Sequence, residues 1–144
     1  MDIIDILKNK TIKVRELPKW GAYLRKEWET NFADHLSDEE KRAIYLFDHG
    51  GYCGYLWHLF SFKKKDCLEG EEAEEAFNNE PKNQCYIFYQ NSDYALHLEN
   101  AATLSTSDFF DETDIDIYIV DKQFRWTFVI THETGWCGPY FSKR

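Results

Sequence analysis

The sequence predicts an α+β fold, with an antiparallel sheet built mainly from the C-terminal half and covered on one face by N-terminal amphipathic helices. Two observations predict it. In the first quarter Trp20, Leu24, Trp28 and Phe32 recur every fourth residue, the period that puts side chains on one face of a helix. In the second half, Gln84 to Gln90, Tyr94 to Glu99, Asp114 to Asp121 and Trp126 to Glu133 are short, β-branched and aromatic runs separated by turn residues. No internal repeat and no linker-like stretch divides the 144 residues, so residues 1–144 are read as a single domain.

Taken in order, Ile3, Ile4, Ile6 and Leu7 give Met1 to Lys10 the pattern of a short docking helix. Thr11 to Leu17 alternates Ile12 and Val14 with charged neighbours, as an edge strand does. Pro18 then opens the aromatic-striped helix, which Tyr23 joins, with Arg25, Lys26, Glu29 and Asn31 facing away from the stripe. Ser37 to Glu40 is a capping box that starts a second helix, running to about Phe47 and stopped at Asp48 to Gly51. Gly54 to Phe62 is almost wholly apolar. Periodicity does not separate a buried strand from a helical turn there, and the flanking glycines and aromatic richness favour a strand. A third helix spans the acidic run, with Leu68, Ala73, Ala76 and Phe77 at helical spacing, and ends at Asn78 to Pro81. Asn100 to Thr113 holds one short helical turn, begun at Ser107 and Asp108.

Composition narrows function. Aromatics make up 17% of the chain, which calls for a ring-filled core rather than a disordered one. A net charge of −9, from 26 acidic against 17 basic residues, opposes binding to nucleic acid or an anionic membrane and fits a basic protein partner or plain solubility better. The N-terminus has no export signal, no stretch is long enough to span a bilayer, and the expected location is the cytoplasm. There Cys53, Cys67, Cys85 and Cys137, with no CxxC pair, are expected to be reduced and mostly buried.

Chemistry concentrates at the end of the last hairpin. Ile115, Ile117 and Ile119 share one face of its first strand, and Trp126, Phe128, Ile130 and His132 one face of its second. Alternation therefore sends His132 toward the core and Glu133 the other way, which argues against a simple His–Glu dyad. An enzyme of hydrolase type remains an alternative, with His132, Glu133, Cys137 and His58 as candidate catalytic residues. A Cys/His metal site is another, from His49, Cys53 and His58 with His132 and Cys137, although paired close ligands are missing and neither metal nor cofactor is expected. In the loop from Thr134 to Phe141, Gly135, Gly138 and Pro139 fix the backbone and present Trp136 and Tyr140 outward.

The segments LWHLFSF (Leu56 to Phe62), EGEEAEEAF (Glu69 to Phe77), DIYIVDKQFRWTFVITHE (Asp116 to Glu133) and GPYF (Gly138 to Phe141) resemble a bacterial family of small single-domain proteins, domain of unknown function 4275. That resemblance transfers no catalytic residue. More loosely, the ending is similar to small immunity-type proteins that neutralise secreted toxins. The leading expectation is a non-catalytic protein-binding module for a basic partner such as a toxin. Its candidate contacts are Glu133, Trp136, Tyr140 and the acidic residues Glu71, Glu72, Glu74 and Glu75.

Overall fold

A computed structural model describes residues 2–112 and 114–144; Met1 and Thr113, the outer ends of two predicted segments, lie outside the described residues. Among the described residues all strands join one antiparallel sheet in the order β1-β4-β3-β5-β6-β7-β2. These are β1 (Lys13–Leu17), β2 (Leu68–Glu69), β3 (Cys85–Tyr89), β4 (Ala95–Glu99), β5 (Ile117–Asp121), β6 (Trp126–Ile130) and β7 (Tyr140–Lys143). The helices are α1 (Ile3–Asn9), α2 (Gly21–Phe32), α3 (Asp38–Ala43), α4 (His58–Ser61) and α5 (Glu71–Asn79). The α+β class and the C-terminal sheet are as the sequence predicts.

Alternation within the strands sorts the core into two layers. Phe88, Tyr118, Val120, Val129 and Tyr140 face α2 and α4, whose Leu24, Trp28, Phe32, Leu59 and Phe60 cover them. Ile87, Leu96, Leu98, Ile119, Phe128 and Phe141 face the other way and are covered by Leu7 of α1 and by Ala73 and Phe77 of α5. The N-terminal helix α2 thus supplies the expected cover on one face, and α1 and α5 add a second cover on the opposite one.

Local departures from the sequence reading have identifiable causes. The aromatic stripe of α2 is buried at Leu24, Trp28 and Phe32, whereas Tyr23 is 55% exposed and Trp20 precedes the helix as its N-cap. Glu29, expected to face away, is buried because Lys41 of α3 reaches it at 2.8 Å and Lys26 at 3.3 Å. The capping box of Ser37 and Glu40 forms as predicted, but α3 ends at Ala43, well short of Phe47.

Gly54 to Phe62 is not a strand. Asp48 Oδ1 accepts from Gly54 N–H at 2.7 Å, and a Cβ on Gly54 would sit 2.0 Å from the carbonyl carbon of Phe47, so two chain segments touch backbone to backbone there. From that pinned turn the chain coils into α4, burying Leu56, Trp57, Leu59 and Phe60, an i, i+1, i+3, i+4 set that only a helical turn puts on one side. Leu68 belongs to β2 rather than to the third helix, and the strands β2 and β7, read as helix start and loop, pair with each other at the sheet edge. The short turn near Phe109 is capped by Ser105, with Asp108 closing the box, rather than begun at Ser107. Of the cysteines only Cys85 is buried; Cys53 is exposed, Cys67 and Cys137 are half-buried, and all four thiols are free.

Candidate functional site

Strand β6 ends at Ile130, and the two-residue alternation ends with it. Thr131 then folds the chain into a tight turn: its N–H donates to Thr134 Oγ1 at 3.2 Å, its hydroxyl donates to Cys137 O, and the Thr134 hydroxyl donates back to Thr131 O at 2.8 Å. The turn carries His132 off the Phe128–Ile130 face on which alternation would place it. Its imidazole lies on the α2/α4 side of the sheet, 5.1 Å from the Tyr55 ring and 5.9 Å from Trp57.

What draws it there is Asp116. This carboxylate precedes β5, in the same row as Tyr118 and Val120, and is buried. It accepts the Trp57 indole N–H at 2.8 Å, the His132 backbone N–H at 2.9 Å, and the His132 ring Nδ1–H at 3.0 Å. A carboxylate held as an acceptor places the proton on Nδ1 and leaves Nε2 as the second ring nitrogen, 3.6 Å from Glu133 Oε1. The same layer continues inward: the Tyr118 hydroxyl donates to Gln90 Oε1 and accepts from Trp57 N–H at 3.2 Å, while Leu56 N–H also reaches Gln90 Oε1, at 3.0 Å. Burial first, then its ionisable neighbours Cys53 and Asp116, push the Tyr55 hydroxyl up from its ordinary value.

The predicted residues fall into three groups. His132 and Glu133 do approach one another, because the turn replaces the extended chain that would have separated them. Cys137 joins them through Glu133. Burial first and then the charge of Glu133, which also accepts from the thiol, push Cys137 upward, the direction that keeps it protonated. His58 stands apart: its Nδ1–H donates to Tyr45 O at 2.9 Å, and it meets the cluster only through the rings of Tyr55 and Trp57. Among the described residues, no three His, Cys, Asp or Glu side chains converge as a metal-ligand set.

The binding candidates divide similarly. Tyr140, expected to be presented outward, is 1% exposed; it is a core residue of β7 packed on Phe60. Trp136, by contrast, is 90% exposed. Its loop is tied down on both sides, Trp136 N–H and Cys137 N–H donating to Glu133 O at 2.9 and 2.8 Å. Gly70 N–H donates to Pro139 O at 2.9 Å and Gly138 N–H to Glu69 Oε2 at 3.4 Å, so the loop is anchored to the start of α5. Glu71, Glu72 and Glu75 are exposed and Glu74 half-buried, with three of these acids in the first turn, where the helix dipole favours them. Trp136, Glu133 and the acidic helix start thereby share one end of the sheet.

Sequence reasoning missed Asp116, Trp57, Tyr118 and Gln90. One signal was present: Asp116 stands in an otherwise apolar alternating row, where a carboxylate survives only if donors meet it.

Fold and site together define a small helix-covered antiparallel-sheet domain with a buried carboxylate–imidazole pair beside a rigid, tryptophan-bearing loop. The chain belongs to the family described as a domain of unknown function (DUF4275), whose model matches residues 1–141. No curated protein and no solved structure matches it. Among the described residues, no helix is long and apolar enough to cross a membrane.

Proposed function

We propose that the chain is a non-catalytic, cytoplasmic protein-binding module of the immunity or antitoxin kind, holding a basic partner through Trp136 and the carboxylates around it. The observation that carries this reading is the 90% exposure of Trp136 on an anchored loop beside Glu133 and the start of α5. An indole is a large apolar surface to leave in water, and a rigid one loses little freedom when a partner covers it. Aromatic anchors ringed by polar groups are where interfaces concentrate their binding energy, and a carboxylate field speeds encounter with a basic surface.

The test uses three baits in lysate of the native host: the unaltered chain, Trp136→Ala, and Glu71→Gln/Glu72→Gln/Glu75→Gln. The expected result is a basic protein captured at low salt by the unaltered chain, released as salt rises, and lost from Trp136→Ala. Recovery of no partner at low or moderate salt, or undiminished capture by Trp136→Ala, would overturn the reading.

A second reading, a hydrolase-type enzyme, is favoured by one feature, the orientation of His132 by Asp116 at 3.0 Å. It requires His132→Gln to abolish turnover of a substrate that the unaltered chain hydrolyses.

A further inference from the structure

On the face of the sheet opposite the Asp116 carboxylate lies a cavity of about 350 Å³, bordered by the turn residues Thr131, His132 and Thr134 but not by Trp136. Its walls are hydrocarbon and ring: Phe109, Phe128, Ile130 and Pro139. Carboxylates stand at its lining, Glu74 from α5 and Asp114 from the segment before β5, with Glu112 alongside. Among the described residues no lysine or arginine lines it, and neither Glu74 nor Asp114 forms an ion pair with another described residue. Burial, then the neighbouring charges of Asp2 and Asp111, push Glu112 upward against the opposing charge of the N-terminus. The turn residue His132 also borders the cavity, but its imidazole is held on the other side of the sheet by Asp116.

An apolar slot edged by Glu74 and Asp114, neither in an ion pair with another described residue, matches one kind of side chain, an aliphatic stem ending in a cation. Lysine and arginine bury such stems along apolar surface while the charged head seeks polar partners. The exposed ring of Phe110, also at the lining, adds an aromatic group within reach of the same head. We infer that this cavity receives a lysine or arginine side chain projecting from the basic protein partner, an inference that rests on the binding reading above. The cavity and Trp136 belong to the same loop, residues 131–139, so an anchored indole and a socket for a cation lie within one interface.

The experiment is an NMR titration of the full chain with Nα-acetyl-lysine methylamide and Nα-acetyl-arginine methylamide, against Nα-acetyl-norleucine methylamide, which has a comparable stem and no charge. The expected result is saturable shifts confined to residues lining the cavity. Binding should weaken about fivefold for norleucine and for Glu74→Gln/Asp114→Asn, the scale of two partly exposed charge contacts. Equal binding of norleucine, or no saturable shift with either cation, overturns the inference; norleucine against lysine on the unaltered chain decides it even if the double variant fails to fold. Trp136→Ala separates the two proposals. If the amides fail while partner capture survives and depends on Trp136, only the socket is lost; if the amides bind but no partner is captured, only the binding-module reading is lost.

Discussion

The two faces of the sheet are filled by different chemistry. On the α2/α4 face the rings are pinned by directional bonds: Trp28 Nε1–H donates to Thr127 Oγ1 at 2.9 Å, Trp57 Nε1–H to Asp116 at 2.8 Å, and Tyr118 to Gln90. On the α1/α5 face the buried rings make no such hydrogen bonds among the described residues and are held mainly by stacking. Phe77 stacks on Phe128 with centroids 4.4 Å apart and carries the Lys82 ammonium over its ring at 4.5 Å, while the Lys10–Asp108 pair, at 2.9 Å, lies at the margin. A hydrogen-bonded ring has one acceptable orientation, whereas a stacked one tolerates small shifts. The pinned face accordingly fixes the imidazole of His132 through the buried Asp116 carboxylate.

Truncation treats the faces alike, and conservative substitution separates them. Trp28→Ala and Phe77→Ala should each cost about 3–5 kcal/mol in urea or guanidinium unfolding, since both are fully buried. Trp57→Phe should cost about 1–3 kcal/mol because Asp116 loses a buried donor, whereas Phe77→Leu should stay under about 1.5 kcal/mol. Equal losses for these two conservative changes would erase the distinction drawn between the faces. Trp136→Ala, on neither face, should leave stability within about 0.5 kcal/mol while abolishing partner capture. A large loss of stability there would mean that the indole is structural.

Much of the fold was legible because it is written locally. The spacing of Leu24, Trp28 and Phe32, the Ser37–Glu40 box, and the alternation in β3 to β6 each depend on residues a few positions apart. What was hidden depends on contacts distant in sequence. Whether Gly54 to Phe62 extends or coils is decided by the backbone of Phe47 pressing on Gly54, and Tyr140 is buried because β7 pairs with β6 on one side and β2 on the other. The site was half legible for the same reason. His132 and Glu133 announce themselves by residue type, but the direction of His132 is set by Asp116, 16 residues earlier, through a turn that breaks the alternation used to place it. Trp136 was readable as exposed because Gly135, Gly138 and Pro139 mark a turn around it, and both glycines take positive φ in the structure.

The smallest expected effect compares two histidines on the pinned side. His132 faces a carboxylate, whereas the buried His97 of β4 lies 5.3 Å from the Tyr86 ring and donates from Nε2 to the amide oxygen Gln84 Oε1 at 3.0 Å. Burial, then the charge of Arg15, lower the pKa of His97 below its ordinary 6.5. A lowered histidine means that the unfolded chain binds the extra proton more readily, so stability rises with pH across this group. Its contribution is fully present above the unfolded value and is lost as pH falls through the folded one. Asp121 does not blur the window: burial raises it, but hydrogen bonds from Arg125 outweigh that and hold it below 3.8, so its own contribution fades only in stronger acid. Between pH 5 and pH 8, His97→Gln should therefore flatten the fall of Tm on the acid side of about 6.5 and leave Tm nearly unchanged at the alkaline end. An unaltered slope in that variant would place the neutral, buried imidazole elsewhere and assign the pH response to a different group.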